Sequence, residues 1–142
     1  MTFQIETKRL LIRDVQEEDV PILLEMYAEP EARRNILAVQ TDENHNRKDL
    51  EAAMAWAKQV HRPYYKLSVE LKADKTLIGS CNLSDAVPQG TETFIGWHYG
   101  HRFRGNGYAT EVAYTLLDFA LEFVKVNSFM QTVSPEMRHQ SA

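Results

Sequence analysis

The chain of 142 residues contains a single cysteine, Cys81, so the sequence excludes a disulfide framework within the chain. A chain of this kind fits a reducing compartment, and we expect a cytoplasmic setting. The sequence also lacks an apolar run of membrane-spanning length, and its N-terminus lacks a signal-peptide pattern. No internal repeat or low-complexity segment is visible. We therefore expect one globular domain over residues 1–142 and no membrane partner.

The sequence also lacks a large excess of charge of either sign. Its 16 basic and 20 acidic residues give a net charge of −4. This balance argues against a broad nucleic-acid-binding surface, and no nucleic-acid partner is expected.

A metal site is not expected either. The pair His98-x-x-His101 has metal-ligand spacing, but no third ligand pattern accompanies it.

The most informative segment is Arg102-Phe103-Arg104-Gly105-Asn106-Gly107-Tyr108-Ala109-Thr110-Glu111. It follows a predicted strand at Thr91–Tyr99 and opens a predicted helix at Tyr108–Phe123. The first turn of such a helix offers unpaired N–H groups and the positive end of the helix dipole. Because glycines let a phosphate approach the backbone, this order predicts a phosphate site, most plausibly for a pyrophosphate.

Two familiar glycine loops fit this segment poorly. A Walker loop needs a lysine after its glycines, and a dinucleotide-binding loop needs a third glycine where this chain has Thr110. An ordinary loop with a left-handed turn is the alternative for two glycines alone. In the phosphate-site interpretation, a bulky side chain at Gly107 would block the approach of the pyrophosphate.

The patterns along the chain predict the element order β-α-α-β-β-β-α-β, a mixed α/β class with a mostly antiparallel sheet flanked by helices. An irregular stretch is predicted at Ala28–Asn46, with a short helix near Glu31–Arg34, and a loop at Ser84–Gly90. The predicted elements, besides those already named, are a strand at Leu10–Arg13, helices at Glu17–Tyr27 and Asp49–Val60, and strands at Tyr64–Leu71, Thr76–Leu83 and Ser128–Val133.

The pattern Arg102-x-x-Gly105-x-Gly107, followed by Tyr-Ala-Thr-Glu, resembles the acetyl-CoA-binding motif of the GNAT acetyltransferase superfamily. The preceding Ile95-Gly96-Trp97 resembles that family's fourth strand. The opening Glu6-Thr7-Lys8-Arg9-Leu10-Leu11-Ile12-Arg13 resembles the branch of ribosomal-protein N-acetyltransferases, which is RimJ/RimL-like. Ile78-Gly79 and Thr132-Val133-Ser134-Pro135-Glu136 resemble further parts of the family pattern.

The resemblance implies the GNAT acyl-CoA N-acyltransferase fold. In that fold the family's fourth and fifth strands splay apart, and the pantetheine arm of acetyl-CoA lies between them. The family continues through a C-terminal helix and hairpin, which a domain over residues 1–142 would lack, so that it would be truncated after the fifth strand. An exposed last strand tends to pair, and we therefore expect the chain to be a homo-oligomer or marginally stable alone.

The resemblance also implies an acetyl-CoA site. Backbone N–H groups of Arg104–Ala109 and the charges of Arg102 and Arg104 would hold the phosphates, and a backbone N–H in Trp97–Tyr99 would polarise the thioester carbonyl. The predicted cofactor-binding residues are Trp97, His98, Tyr99, Arg102, Arg104, Gly105, Asn106, Gly107, Tyr108 and Ala109.

Proton transfer is assigned to Glu92, His98 and Ser141, with Glu70 as a further candidate base. Each has a plainer interpretation: Glu92 as a solvated strand-end carboxylate, and His98 as a buried histidine with its hydrogen bonds satisfied. Ser141 stands near the place of a family serine, but Arg138 replaces the asparagine that accompanies it. The tyrosine that protonates the thiolate in many members would belong to the C-terminal helix.

The expected activity is transfer of an acetyl group from acetyl-CoA to a primary amine by direct attack. The branch resemblance favours a protein N-terminal α-amine, with the amines of small metabolites or antibiotics as the alternative acceptors. Two other functions remain open at this point. One is an acyl-CoA-binding module without turnover, and the other is a nucleotide-phosphate binder unrelated to CoA.

Overall fold

The computed structural model describes residues 3–29, 42–59, 64–85, 92–120 and 128–132, and these residues form a six-stranded sheet flanked by helices. Neighbouring strands are antiparallel from β1 to β5, whereas β5 and β6 are parallel. This mixed, mostly antiparallel sheet confirms the predicted fold class. In sheet order, which is also chain order, the strands are β1 (Gln4–Glu6), β2 (Leu10–Asp14), β3 (Tyr64–Leu71), β4 (Leu77–Asp85), β5 (Glu92–Tyr99) and β6 (Ser128–Thr132).

Helices cover both faces of the sheet. A 3-10 turn at Glu17–Asp19 leads into α1 (Val20–Tyr27), and α1 packs with α2 (Glu43–Trp56) on one face. A second 3-10 turn at His101–Phe103 precedes α3 (Tyr108–Phe119), which packs on the other face. Because parallel strands cannot be joined by a tight hairpin, α3 lies in the crossover between β5 and β6.

The two faces have separate apolar cores. Alternation along β3 places Leu67 and Val69 under α3, and Ser68 between them faces the 3-10 turn that precedes α1. The core on the α3 side contains Leu10, Ile12, Leu67, Val69, Ile78, Cys81, Leu83, Ile95, Trp97, Tyr99, Ala109, Val112, Leu116 and Ala120. The core on the other side contains Val15, Val20, Leu23, Leu24, Met26, Tyr27, Leu50 and Leu77.

A partly buried ion pair joins the start of α1 to the sheet. The guanidinium of Arg13 donates to both carboxylate oxygens of Asp19, at 2.7 and 3.0 Å, and to Glu70 at 3.1 Å. Asp19 also accepts from the Gln16 N–H and from the Ser68 hydroxyl. Burial alone would raise the pKa of Asp19, but these donors outweigh burial and hold the pKa below its usual value. The entry of α1 is therefore fixed by charge as well as by packing.

The second predicted helix begins earlier than expected. The apolar period predicts it at Asp49–Val60, whereas α2 starts at Glu43 and ends at Trp56. Its N-cap is Asp42, whose side chain accepts a hydrogen bond from the Asn44 N–H at 2.9 Å. The assignment of residues 43–46 to the irregular stretch is therefore wrong. The first turn of α2 is polar and shows no helical period in the sequence, whereas the Asp42 cap stabilises the start of the helix.

Smaller boundary differences lie at the strands. The loop predicted from Ser84 begins too early, because β4 continues to Asp85 by pairing with β5. The short edge strand β1 was not predicted, since three residues carry little periodicity. The first predicted helix opens with the 3-10 turn at Glu17–Asp19. Predictions at residues 31–34, 60, 91, 121–123 and 133 lie outside the described residues.

Gly79 lies where two strands approach most closely. A Cβ built there would sit 2.3 Å from the His98 carbonyl oxygen and 2.8 Å from the Tyr99 Cα. We expect Gly79→Ala to lower the free energy of unfolding by about 1–3 kcal/mol, because these backbone atoms cannot move independently of the β4–β5 ladder. Urea unfolding followed by circular dichroism measures this change.

Gly96 supplies the matched control. A Cβ at Gly96 would meet the Asn82 side-chain amide at 2.9 Å, and that side chain can rotate away. Gly96→Ala should therefore cost clearly less than Gly79→Ala, and equal losses would contradict the close-approach explanation.

Candidate functional site

The glycine loop connects the carboxyl end of β5 to the N-terminus of α3, as the sequence predicts. Gly105 has φ +83° and Gly107 has φ +79°, and both values lie in the left-handed region that favours glycine. Gly107 is also the N-cap of α3, and it brings no side-chain cap to that helix. The positive end of the α3 dipole therefore receives no side-chain cap from its N-cap residue.

The loop is fastened to the N-terminal segment, a contact that the sequence analysis did not predict. The Arg9 side chain donates from Nε to Glu111 Oε1 at 2.8 Å and from Nη1 to the Asn106 carbonyl oxygen at 2.9 Å. Glu111 Oε2 accepts from the Thr7 hydroxyl and from the Arg9 N–H. Thr7, Arg9 and Glu111 all stand in the quoted family-like motifs, but no local pattern links positions about a hundred residues apart.

The predicted loop residues differ in what their side chains do. The Arg102 guanidinium lies 4.5 Å from the centre of the Phe103 ring and remains exposed. The Asn106 amide donates to the Phe103 carbonyl oxygen at 3.0 Å and closes the loop on itself. Tyr108 lies under Arg9, and Ala109 is buried in the α3 core, so these two can offer a ligand mainly their backbone N–H groups. Arg104 and Gly105 lie between the second 3-10 turn and the helix.

The end of β5 presents alternate residues to opposite faces. Trp97 and Tyr99 belong to the α3 core, whereas His98 points toward α1, which agrees with the expectation that His98 opposes Trp97. The register of β5 with β6 runs from Glu92↔Ser128 to Gly96↔Thr132 within the described residues. Backbone groups at residues 97–99 therefore lie beyond the described pairing, where a splayed strand would leave them for a ligand.

Two buried polar atoms in this segment lack a hydrogen-bond partner among the described residues. They are the Trp97 indole Nε1 and the Tyr99 hydroxyl oxygen. Burial raises the pKa of Tyr99 well above its usual value, so the phenol is a neutral donor at physiological pH. Buried donors without partners are rare in folded proteins, so each of these two atoms calls for an acceptor beyond the described residues.

His98 is a satisfied, buried histidine. Its exposed fraction is 5%, its ring packs against Tyr27, and its Nε2 lies 3.3 Å from the Met26 carbonyl oxygen. A carbonyl only accepts, so Nε2 carries the proton and Nδ1 holds the lone pair. Burial lowers the pKa of His98 to about 4, and the hydrogen bond to Met26 only partly opposes burial.

Of the other proton-transfer candidates, the described residues include Glu92 and Glu70. Glu92 begins β5, so its backbone lies roughly 23 Å from Tyr99 at about 3.3 Å per residue. Glu70 forms an ion pair with Arg13. Ser141 lies outside the described residues. Cys81 is 1% exposed and burial raises its pKa to about 12, so it is an inert thiol.

A groove of about 550 Å³ borders the start of the loop. Its walls are α1, the β3–β4 turn and the second 3-10 turn, and the Glu29 carboxylate at the end of α1 accepts from the His101 N–H at 3.1 Å. Apolar and charged residues of both signs line it: Ile22, Glu25, Met26, Glu29, Asp74, Lys75, Thr76, Leu77, Gly100, Arg102 and Phe103. A ligand on the loop therefore has an adjoining surface of mixed charge.

The described residues contain no cluster of three or more His, Cys, Asp or Glu side chains that could hold a metal ion. In the same residues, no helix has the length and apolar character that a membrane crossing needs.

Comparison with known proteins agrees with this architecture. The family model of the acetyltransferase (GNAT) domain matches residues 9–137. The uncharacterized N-acetyltransferase p20 of Bacillus licheniformis is 24% identical over 130 residues, which cover 92% of this chain and 72% of that protein. The structure of a GNAT-family acetyltransferase from Bacillus anthracis superposes with a TM-score of 0.78 at 21% identity, covering 96% of this chain and 77% of the other.

A second solved structure of the same fold contains coenzyme A. It is RimL, the ribosomal L7/L12 α-N-protein acetyltransferase, in complex with coenzyme A. Its TM-score is 0.72 at 15% identity, and the match covers 91% of this chain and 73% of that chain. At this identity the likeness establishes a shared fold.

The buried neutral state of His98 makes stability depend on pH. The unfolded chain binds a proton at this histidine below about pH 6.5, whereas the folded chain does so only below about 4. Stability is therefore fully present above pH 6.5 and is lost as pH falls toward 4. Between pH 7 and pH 5 we expect this group to lower the free energy of unfolding by about 2 kcal/mol, measured by urea titration. His98→Gln should remove this part of the pH dependence, and the exposed-site control His101→Gln should keep it.

The left-handed backbone at Gly107, rather than crowding, sets what this position tolerates. Among the described residues, a Cβ there would meet only Arg9 Nη2, at 3.5 Å, so within the folded chain the φ of +79° is what limits this position. Gly107→Ala should cost about 1–2 kcal/mol of unfolding free energy, since an L-residue resists this φ. Gly107→Asn should cost less although asparagine is larger, because asparagine adopts this region more readily. A greater loss for asparagine in thermal unfolding would contradict this explanation.

Proposed function

The chain belongs to the GNAT acetyltransferase family, and from that premise we propose that it transfers an acetyl group from acetyl-CoA to a primary amine. The observation that carries the proposal is the glycine loop at the N-terminus of α3, with left-handed Gly105 and Gly107 and with Arg102 and Arg104 beside them. Family membership makes acyl transfer the activity, and the loop supports a donor that bears phosphates.

The proposed donor site has two parts. The N–H groups from Arg104 to Ala109 and the charge of Arg102 would hold the pyrophosphate. The pantetheine arm would run along β5 beyond Gly96, where the described pairing with β6 ends. Trp97 Nε1 and the Tyr99 hydroxyl have no partner among the residues that the structure describes. They support a ligand in this part of the sheet, because each can donate to an acceptor.

The proposed chemistry is direct attack of a neutral amine on the thioester carbonyl carbon. The carbon–nitrogen bond forms, the carbon–sulfur bond breaks, the amine loses a proton, and the sulfur gains one. A backbone N–H within Trp97–Tyr99 would stabilise the developing oxyanion, and such a donor is typically worth about 2.7–4 kcal/mol of barrier. Among the predicted proton acceptors, His98 offers Nδ1, but a pKa of about 4 makes it a weak base.

For the acceptor, we propose a protein N-terminal α-amine. This is supported by the fold shared with RimL, which is described as an α-N-protein acetyltransferase, and by the Thr7-to-Arg13 opening of the sequence. Small metabolite or antibiotic amines are the alternative, and the groove of mixed charge beside α1 admits either class.

Donor binding is tested by thermal unfolding with acetyl-CoA, ATP or NAD. At about 100 times its dissociation constant, acetyl-CoA should stabilise the protein by about 2.7 kcal/mol and raise Tm by roughly 5–10 °C. ATP and NAD should shift Tm far less, because neither has a pantetheine arm. An equal shift with all three would favour a general phosphate binder over this proposal.

Turnover is tested by the release of CoA thiol with a panel of amines. Peptides with free N-termini should support release, and the same peptides with acetylated N-termini should not. Release with small amines alone would change the acceptor class, and tight acetyl-CoA binding without release for any amine would indicate a binding module.

A further inference from the structure

We propose that Arg9 is a positioning residue for the acyl donor, because it fixes the glycine loop together with Thr7 and Glu111. The inference rests on the proposed function, since it assumes that the loop holds the phosphates of acetyl-CoA. Arg9 lies in the turn between β1 and β2, far from the loop in sequence, yet it makes three separate contacts with the loop and the helix that follows.

The first contact sets the direction of a peptide plane. Arg9 Nη1 donates to the Asn106 carbonyl oxygen at 2.9 Å. In a trans peptide the carbonyl oxygen and the next N–H point in opposite directions, so the N–H of Gly107 points away from Arg9. Arg9 therefore holds one loop N–H toward the side where a phosphate would bind.

The second contact neutralises a carboxylate near the phosphate site. Glu111 lies in the first turns of α3, where its charge would repel a bound phosphate across a short distance. Arg9 Nε and the Arg9 N–H engage the two Glu111 oxygens, and the Thr7 hydroxyl donates to one of them. Glu111 is thereby converted from a repelling charge into an anchor for the loop.

The third contact stacks the guanidinium on the helix. The Arg9 Cζ lies 4.5 Å from the centre of the Tyr108 ring, and Tyr108 is the first residue of α3. Lysine could supply the charge but could not make this planar stack and two directed hydrogen bonds together.

The turn that carries Arg9 is itself fixed. The Thr7 N–H donates to the Leu10 carbonyl oxygen at 2.9 Å, and the Lys72 N–H donates to the Arg9 carbonyl oxygen at 2.9 Å. Leu10 is fully buried in the α3 core. Because the backbone on both sides of Arg9 is held by these hydrogen bonds, the Arg9 side chain can restrain the glycine loop.

The test measures acetyl-CoA affinity by calorimetry together with Tm in the absence of ligand. Arg9→Met should weaken acetyl-CoA binding about 10- to 100-fold, the range expected for hydrogen bonds that involve charged groups. Arg9→Lys should recover only part of the affinity. In turnover assays the loss should fall on KM for acetyl-CoA, with kcat little changed, because Arg9 does not contact the reacting atoms.

Two controls separate positioning from charge and from stability. Lys48→Met removes an equal charge from an exposed position of α2, on the other face of the sheet, and it should leave the affinity unchanged. Ser68→Ala removes a buried hydrogen bond on the other face, so it should lower Tm without weakening acetyl-CoA binding.

A double-mutant cycle tests the route through Glu111. In a Glu111→Gln background, Arg9→Met should cost several-fold less affinity than in the parent, because the anchor is already weakened. The same factor in both backgrounds would overturn the proposal and indicate a simple charge effect. If Arg9→Met does not fold, Thr7→Val tests the same anchor, because it removes the hydroxyl that donates to Glu111. It should weaken acetyl-CoA binding about 3- to 10-fold.

The outcomes also separate this inference from the proposed function. If the parent protein binds acetyl-CoA and Arg9→Met binds it equally well, the positioning role is wrong while the function stands. If the parent protein binds no acetyl-CoA, the proposed function fails and this inference fails with it.

Discussion

A parallel strand added to an antiparallel sheet needs a crossover connection, and the rest of this structure depends on that constraint. The meander from β1 to β5 could continue with another hairpin, but β6 lies parallel to β5, and the chain must return across the face of the sheet. Because α3 lies in that return, its N-terminus sits at the carboxyl end of β5. The glycine loop, the dipole and the end of the described β5–β6 pairing therefore meet in one place.

Local pattern was enough to predict the parts of this arrangement that are local. The apolar period after Ala109, the alternation in β3 and the glycines of the loop each produce their element through neighbours in the chain. Where the period is weak, prediction failed: the polar first turn of α2 depends on the Asp42 cap, and β1 depends on pairing with β2. The opposed faces of Trp97 and His98 were predictable, because strand alternation needs no tertiary information.

The glycine loop at the start of α3 was predictable from the sequence, but its support was not. Glycine at a helix start indicates an anion site from sequence alone, whereas the fastening of that loop joins Arg9 to Glu111 and Asn106 across the fold. The φ of +79° at Gly107 also needed coordinates, since two glycines in a loop do not fix which backbone region each adopts. Glu92 lies at the start of β5, where the sequence pattern also places it, and its part in proton transfer stays a prediction.

The burial of Cys81 has a practical consequence for observing this chemistry. Acyl transfer from a thioester liberates a thiol, and reagents that detect thiols also react with accessible protein cysteines. The only cysteine of this chain is enclosed in the core and is protonated at neutral pH. The folded protein therefore does not react with such reagents, and the thiol signal in an assay reports released CoA. In a sample without acetyl-CoA, a slow rise of the thiol signal reports exposure of Cys81 by unfolding.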